Sequence, residues 1–305
     1  MFRTVSLLIF AAAMFLPGSA QARIRIVTTT TDLGDLARTV GGSSVSVETI
    51  CHGKQDPHFV QAKPSYMVRL SRADLVVAVG LELEAAWLPQ LIQGARNPKI
   101  NPGKPGYLEA SSAVKVMGVP TGPVDRSQGD IHPLGNPHYW LNPDNAIKVA
   151  RLIASRLGEL DPDEADSFRG NLSAFETRMA AATARWTRKM APYSGRKIVS
   201  YHRTFNYFHQ HFGLVPVGYV EERPGIPPAP AHLARLIKKM RNEGVPLIFH
   251  EGFYDRAMSE LVASKSGAKL LVLPTSVGGV EDASSYEKLI DYMVGQVVAG
   301  LEAGS

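Results

Sequence analysis

Between Pro162 and Met190 the sequence carries apolar residues at helical spacing. Phe168, Leu172, Phe175, Met179, Ala182, Trp186 and Met190 recur every three or four positions. That period gathers them into one stripe of an α-helix and leaves the other faces polar. The ends agree with the helix dipole, which favours acids at the N-terminus and bases at the C-terminus. Asp163, Glu164 and Asp166 follow Pro162 in the first turn, and Arg185, Arg188 and Lys189 lie near the end. The pattern predicts one helix of about 28 residues, about 40 Å long at 1.5 Å per residue. Helices in globular proteins average about 10–14 residues. A helix of this length reads as a rigid strut joining two lobes.

Strand and helix patterns alternate on both sides of the strut. Before it, Arg23–Thr28, Ser44–Ile50 and the apolar run Leu75–Val79 read as strands, with a helix over Leu33–Val40 ended by Gly41-Gly42. After it, Lys197–Ser200, Pro216–Val220, Pro246–His250 and Lys269–Leu273 read as strands. Helices are predicted over Ala231–Glu243, Ala257–Ser266 and Ser285–Leu301. Such alternation implies parallel sheets covered on both faces. The expectation is an α/β protein of two Rossmann-like lobes, 23–161 and 192–305, joined by one long rigid helix over 162–191. A chain of 305 residues suits two such cores. The only compositionally biased stretch is the proline-rich loop from Pro224 to Pro230.

The first 22 residues read differently. Arg3, the apolar run Val5–Leu16 broken only by Ser6, and Ala20-Gln21-Ala22 form a secretory signal peptide cut after Ala22. The run is shorter than the about 20 residues that span a bilayer, and no cysteine stands at the cut to carry a lipid. The mature chain is expected in a periplasm. The full sequence's net charge of +5 is scattered without a basic block, which argues against nucleic-acid binding. One cysteine, Cys51, excludes an internal disulfide and cysteine-rich zinc sites. A metal site here has to use histidine and carboxylate.

Three of the nine histidines fall near strand ends or in constrained loops. In parallel α/β sheets, ligands bind outside the carboxyl ends of the strands. His58 lies in Gln55-Asp56-Pro57-His58, after the second strand, and Asp56 is placed to hold the ring nitrogen that faces away from a metal. His138 lies in Asn136-Pro137-His138-Tyr139-Trp140-Leu141-Asn142-Pro143, where two prolines fix the backbone. His202 follows the strand Lys197–Ser200 directly. Each also admits a plainer reading: a surface-loop histidine, a rigid turn around a packed Trp140, and a helix cap. Three neutral imidazoles and one oxygen at about 2.0–2.2 Å make a tetrahedral zinc site, whereas manganese prefers more carboxylate oxygen.

Together these segments resemble the metal-specific solute-binding proteins of zinc and manganese ABC importers, the cluster A-I family. The resemblance covers nearly the whole mature chain. It rests on the two histidine motifs above, Pro64-Ser65, Ala73-Asp74-Leu75-Val76-Val77 leading to Gly80 and Glu84, the strut, and His202 with Phe205, Tyr207 and Phe208. It implies two lobes that move little on a stiff helix, with an ion between them held by His58, His138 and His202. It also implies a periplasmic high-affinity zinc receptor, not an enzyme, with a manganese receptor as the alternative. The implied partners are the zinc ion (or Mn2+), the membrane permease of an ABC importer and a metallochaperone; the chain is expected to be a monomer.

The chain departs from the family pattern at the fourth ligand. Thr275 or Ser276 stands where many members place an aspartate in the loop after the last strand. Glu251, at the end of the neighbouring strand, is the candidate replacement, with helix capping as its plainer role and water as the other fourth ligand. Glu222 is a weaker candidate, and Asp282 reads as a solvated loop residue. The metal-gathering loop of many zinc-specific members is short here, Pro120–Asn136, with Asp125, Asp130 and His132 as its candidate ligands. His132 reads as a solvated loop histidine or a weak accessory ligand. His209 and His211, two positions apart on a predicted helix, read as surface residues, and Cys51 as packed. Two rival functions remain at this point: a secreted zinc hydrolase with Glu251 as general base, and a receptor for a metal chelate or haem. The chain has no His-Glu-x-x-His helix and no Gly-x-Ser-x-Gly elbow to support the hydrolase.

Overall fold

The computed structural model describes residues 23–122, 129 and 132–303. The predicted signal peptide, Asp125 and Asp130 lie outside the described residues. The first sheet contains β1 (Ile24–Thr28), β2 (Val45–Thr49), β3 (Leu75–Ala78) and β4 (Tyr107–Glu109) in the order β2-β1-β3-β4. The second contains β5 (Lys197–Ser200), β6 (Val215–Tyr219), β7 (Leu247–Glu251) and β8 (Lys269–Leu273) in the order β6-β5-β7-β8. Every pairing is parallel. β4 has three residues, too few for any periodicity to reveal it in the sequence.

Helices α1 (Thr31–Gly41), α2 (Pro64–Ser71), α3 (Leu88–Ala95) and α4 (Pro143–Leu160) accompany the first sheet. Helices α6 (Asn206–Phe212), α7 (Pro230–Glu243), α8 (Ala257–Ser266) and α9 (Tyr286–Glu302) accompany the second. The inner strands β3 and β7 are buried throughout and carry core on both faces, which is why they read as apolar runs. In β3, Leu75 and Val77 face one core while Val76 and Ala78 face another. In β7, Leu247 and Phe249 face the first core and Ile248 a third. β6 is an edge strand, so Pro216 has no ladder partner to lose on its open side.

The strut is α5 (Ala165–Met190), 26 residues long, entered through a 3-10 turn over Pro162–Glu164. Phe168, Phe175, Met179, Ala182, Trp186 and Met190 form its buried stripe, and Leu172 packs at the edge. Burial of each large apolar side chain contributes about 1.5–3 kcal/mol. The stripe belongs to one core that runs without a break from Ile26 and Val40 to Leu289 and Val297. Polar ties fasten both ends: Asn171 donates to the Val40 carbonyl at 3.1 Å, and the Trp186 indole donates to Asp291 at 2.7 Å.

A second fastening joins the lobes directly. The Val277 N–H donates to Asp32 at 3.0 Å, the Tyr286 N–H to Asp35 at 2.8 Å, and the Trp140 indole to the Thr275 carbonyl at 2.8 Å. The lobes are thus joined by packed core and by backbone bonds, which opposes a wide hinge motion. In both sheets the strand order reverses, beside β1 and beside β5, and the cleft lies at those carboxyl ends.

Candidate metal centre

His58 sits in the loop that follows β2. The Pro57 carbonyl accepts from the Trp87 indole at 2.9 Å, which ties the loop to the core. Asp56 Oδ1 accepts from the His58 backbone N–H at 2.9 Å and lies 2.6 Å from its Nδ1. The same device occurs before α4. Asn136 Oδ1 accepts from the His138 N–H at 2.9 Å and lies 2.8 Å from its Nδ1. An Asp or Asn two residues ahead, with proline between, therefore fixes both backbone and ring. His202, after β5, is held from another element: Glu221, just past β6, places Oε2 2.6 Å from its Nδ1.

An oxygen acceptor faces Nδ1 in all three rings, so Nδ1 carries the proton and Nε2 presents a lone pair. The donor atoms of His58, His138 and His202 lie within 4.8 Å of one another, and all three residues are buried. Nitrogens at about 2.0–2.1 Å from a tetrahedral ion stand about 3.3 Å apart, so a modest closure completes the geometry. Burial, then the nearby His58 and His202, holds the His138 ring well below the usual imidazole range. Burial pushes the Asp56 carboxyl up, but its hydrogen bonds and charge interaction with His58 prevail and lower it. Two carboxylates, Asp56 and Glu221, thus stand one bond behind the cluster, where they offset the charge of a bound cation.

Glu251 does not join the converging donors. It is fully buried, neither carboxylate oxygen has a hydrogen-bonded partner of normal geometry, and burial pushes it up to about 8. Glu222 turns outward toward His232, 3.5 Å away, and Arg235. Thr275 and Ser276 are buried, and the Thr275 carbonyl is used by Trp140. Asp282 is exposed and Cys51 is packed, with its thiol pushed up to about 12 by burial.

Two expectations fail. His132 is not a solvated loop residue: it is half-buried, with Nε2 3.1 Å from His58 Nε2. Burial, then His58 and His202, lowers its ring to about 3. His209 and His211 are not surface residues either. They do face different sides of α6, but both sides are covered. His209 is buried against Phe205, Phe208 and Phe249 without a polar partner, and His211 Nδ1 lies 3.3 Å from Asp144 at the start of α4.

Sequence reasoning missed Asn136 and Glu221 as ring-holding residues. The repeated Asp/Asn-Pro-His pattern is the signal for the first. The second has none, because Glu221 and Glu222 are adjacent and strand alternation alone does not say which one points inward. A cavity of about 190 Å³ opens beside the cluster, lined by Pro120, His132, Pro137, His138, His202 and Pro224. A larger cavity of about 400 Å³, lined by Glu82, Glu84, Tyr107 and Glu109, includes none of the histidines.

Two parallel α/β lobes on a rigid helix, with convergent imidazoles between strand ends, define a two-lobed binding protein with a site for a single small cation. Residues 26–300 match the family described as ZnuA, zinc-uptake complex component A, periplasmic, and the chain belongs to that family. The high-affinity zinc uptake system protein ZnuA of Yersinia pestis is 28% identical over 298 residues, covering 92% of each chain. The manganese ABC transporter substrate-binding lipoprotein PsaA of Streptococcus pneumoniae is 27% identical over 293 residues, covering 93% of this chain and 90% of its own length. A crystal structure of ZnuA superposes with a TM-score of 0.75 at 23% identity, covering 91% of this chain and 98% of the other. A manganese-bound periplasmic metal-binding protein of Candidatus Liberibacter asiaticus gives 0.75 at 20% identity, covering 92% and 100%. These are receptors rather than enzymes, which removes the hydrolase reading.

Proposed function

We propose that this protein is the periplasmic receptor of a metal ABC importer, that its cargo is zinc, and that His58, His138 and His202 are ligands. The observation that carries the reading is the convergence of three Nε2 lone pairs, each with Nδ1 held by an oxygen. The relatives divide between zinc and manganese, so the donor set carries the choice. Three neutral imidazoles with no carboxylate among the converging donors suit zinc, whereas manganese favours oxygen. The cavity beside the histidines, about 190 Å³, is smaller than the about 300–1,000 Å³ of small-molecule pockets. That speaks for a bare ion over a chelate or haem. Among the described residues no helix is long and apolar enough to cross a membrane, in keeping with a receptor that passes its ion to a separate permease.

Imidazoles must be deprotonated to bind, so affinity falls as pH drops through the histidine range. The test is metal content and titration of the mature, chelator-stripped protein with zinc and with manganese. About one zinc per chain is expected, with zinc preferred over manganese and binding weakened by orders of magnitude in His58→Ala and in His202→Ala. Absence of metal, or an affinity indifferent to both substitutions, removes the assignment.

A further inference from the structure

We infer that His132, from the loop between the first lobe's last strand and His138, supplies the fourth donor and closes an all-imidazole site. This deepens the receptor reading and rests on it. His132 Nε2 lies 3.1 Å from His58 Nε2, with ring centroids 5.1 Å apart. His58 keeps its proton on Nδ1, against Asp56. The His132 ring has a second polar contact, with the backbone of Leu81. His132 thus offers Nε2 to the cluster, as the other three rings do. Two lone pairs face each other across 3.1 Å unless a proton or a metal ion stands between them. The separation is close to the about 3.3 Å edge of a tetrahedral four-nitrogen site.

The surroundings hold His132 at this place. Leu81 and Glu82 have φ of 54° and 65°, left-handed values that non-glycine residues rarely adopt. Such backbone persists where neighbouring structure imposes it, and it gathers at functional sites. The Gly135 N–H donates to the His132 carbonyl at 3.0 Å, and the Asn136 N–H to Met117 at 2.8 Å, so the approach to His138 is tethered as well. Across the mouth, Gly129 packs so closely on the Pro224 carbonyl that an added Cβ would stand 2.1 Å from it. His132 is 6.4 Å from His138 between ring centroids, and the cavity that both line leaves room for closure around an ion. Neither Glu251 nor His132 belongs to the three donors that lie within 4.8 Å of one another, but His132 lines the cavity and Glu251 does not. Four neutral imidazoles leave no open position for water, as in structural rather than catalytic zinc sites. They also sharpen the preference for zinc over manganese.

The test uses the full mature chain loaded with zinc for X-ray absorption and with cobalt for optical spectra, in wild type, His132→Ala, His132→Gln and Glu251→Gln. Melting curves of the metal-free proteins establish that each variant is folded. The expected wild type has four nitrogen donors and a cobalt spectrum independent of pH near neutrality. His132→Ala should show three nitrogens and one oxygen, and a cobalt spectrum that shifts as the new bound water ionises near pH 7. Its zinc affinity should be at least about 10-fold weaker and should recover with added imidazole; His132→Gln should behave alike. A wild-type site of three nitrogens and one oxygen, unchanged in His132→Ala, overturns the inference and leaves the receptor reading intact. Loss of that oxygen in Glu251→Gln overturns it too and gives the position to Glu251. A wild type that binds no zinc removes both the inference and the reading beneath it.

Discussion

Replacing Glu221 with alanine removes the carboxylate that holds His202, without touching any nitrogen proposed to meet the ion. Glu221 Oε2 lies 2.6 Å from His202 Nδ1, and Oε1 accepts from the Gly225 N–H at 2.8 Å. Both side chains are buried, so water does not replace the bond readily. A hydrogen bond to a charged group contributes about 1.5–3 kcal/mol net. Loss of the carboxylate behind a metal-bound histidine typically costs about 10–100-fold in affinity, or about 1.4–2.7 kcal/mol, and the two figures agree. Glu221→Ala should therefore weaken zinc binding by about 10–100-fold. Glu221→Gln should fall between it and wild type, because one amide oxygen cannot accept from both His202 and Gly225. The neighbouring Glu222→Ala should leave affinity unchanged, since that side chain points to His232 and Arg235. Competition against a chelator at fixed pH reads all three. A Glu221→Ala affinity within two-fold of wild type, or an equal loss in Glu222→Ala, refutes the idea that this carboxylate sets the ring.

Two buried groups give opposite pH signatures in the metal-free protein, readable by chemical denaturation. Burial raises Asp32 from 3.8 to about 7, so its contribution is full below pH 3.8 and is lost as pH rises through about 7. Asp32→Asn should match wild type at pH 4 and exceed it at pH 8 by up to about 4 kcal/mol; a parallel pair of pH curves refutes this. Burial lowers His209 from 6.5 to about 3, so its contribution is present above 6.5 and is lost as pH falls toward 3. His209→Leu should flatten that acid limb and raise neutral stability by about 1–3 kcal/mol by removing an unpaired buried polar ring; an unchanged acid transition counts against it. Trp186→Ala should cost about 3–5 kcal/mol, since it empties the strut's packing against the second lobe and leaves Asp291 without its indole donor; a loss under 1 kcal/mol means the strut is not held there.

Much of this architecture is legible along the chain because its signals are local. The three- and four-residue spacing from Phe168 to Met190 reports a helix wherever it is packed, and the stripe it predicts is the one buried. Alternating strand and helix patterns require parallel sheets because a crossover must cover each face. Asp56-Pro57-His58 and Asn136-Pro137-His138 fold their own rings into place through bonds two residues long. Other features were decided only when distant segments met. His132 and His58 are 74 residues apart, and nothing near either one announces their contact. Glu221 rather than Glu222 reaches His202 at the end of a β5–β6 pairing whose register shifts between Ile198 and Val199. His209 is buried because Phe249 covers its side of α6, and Glu251 stands outside the donors although it ends a strand beside them. Periodicity, caps and turns are properties of a few neighbouring residues. Which face a second element covers, and which donors share one point in space, depends on pairings that no local pattern encodes.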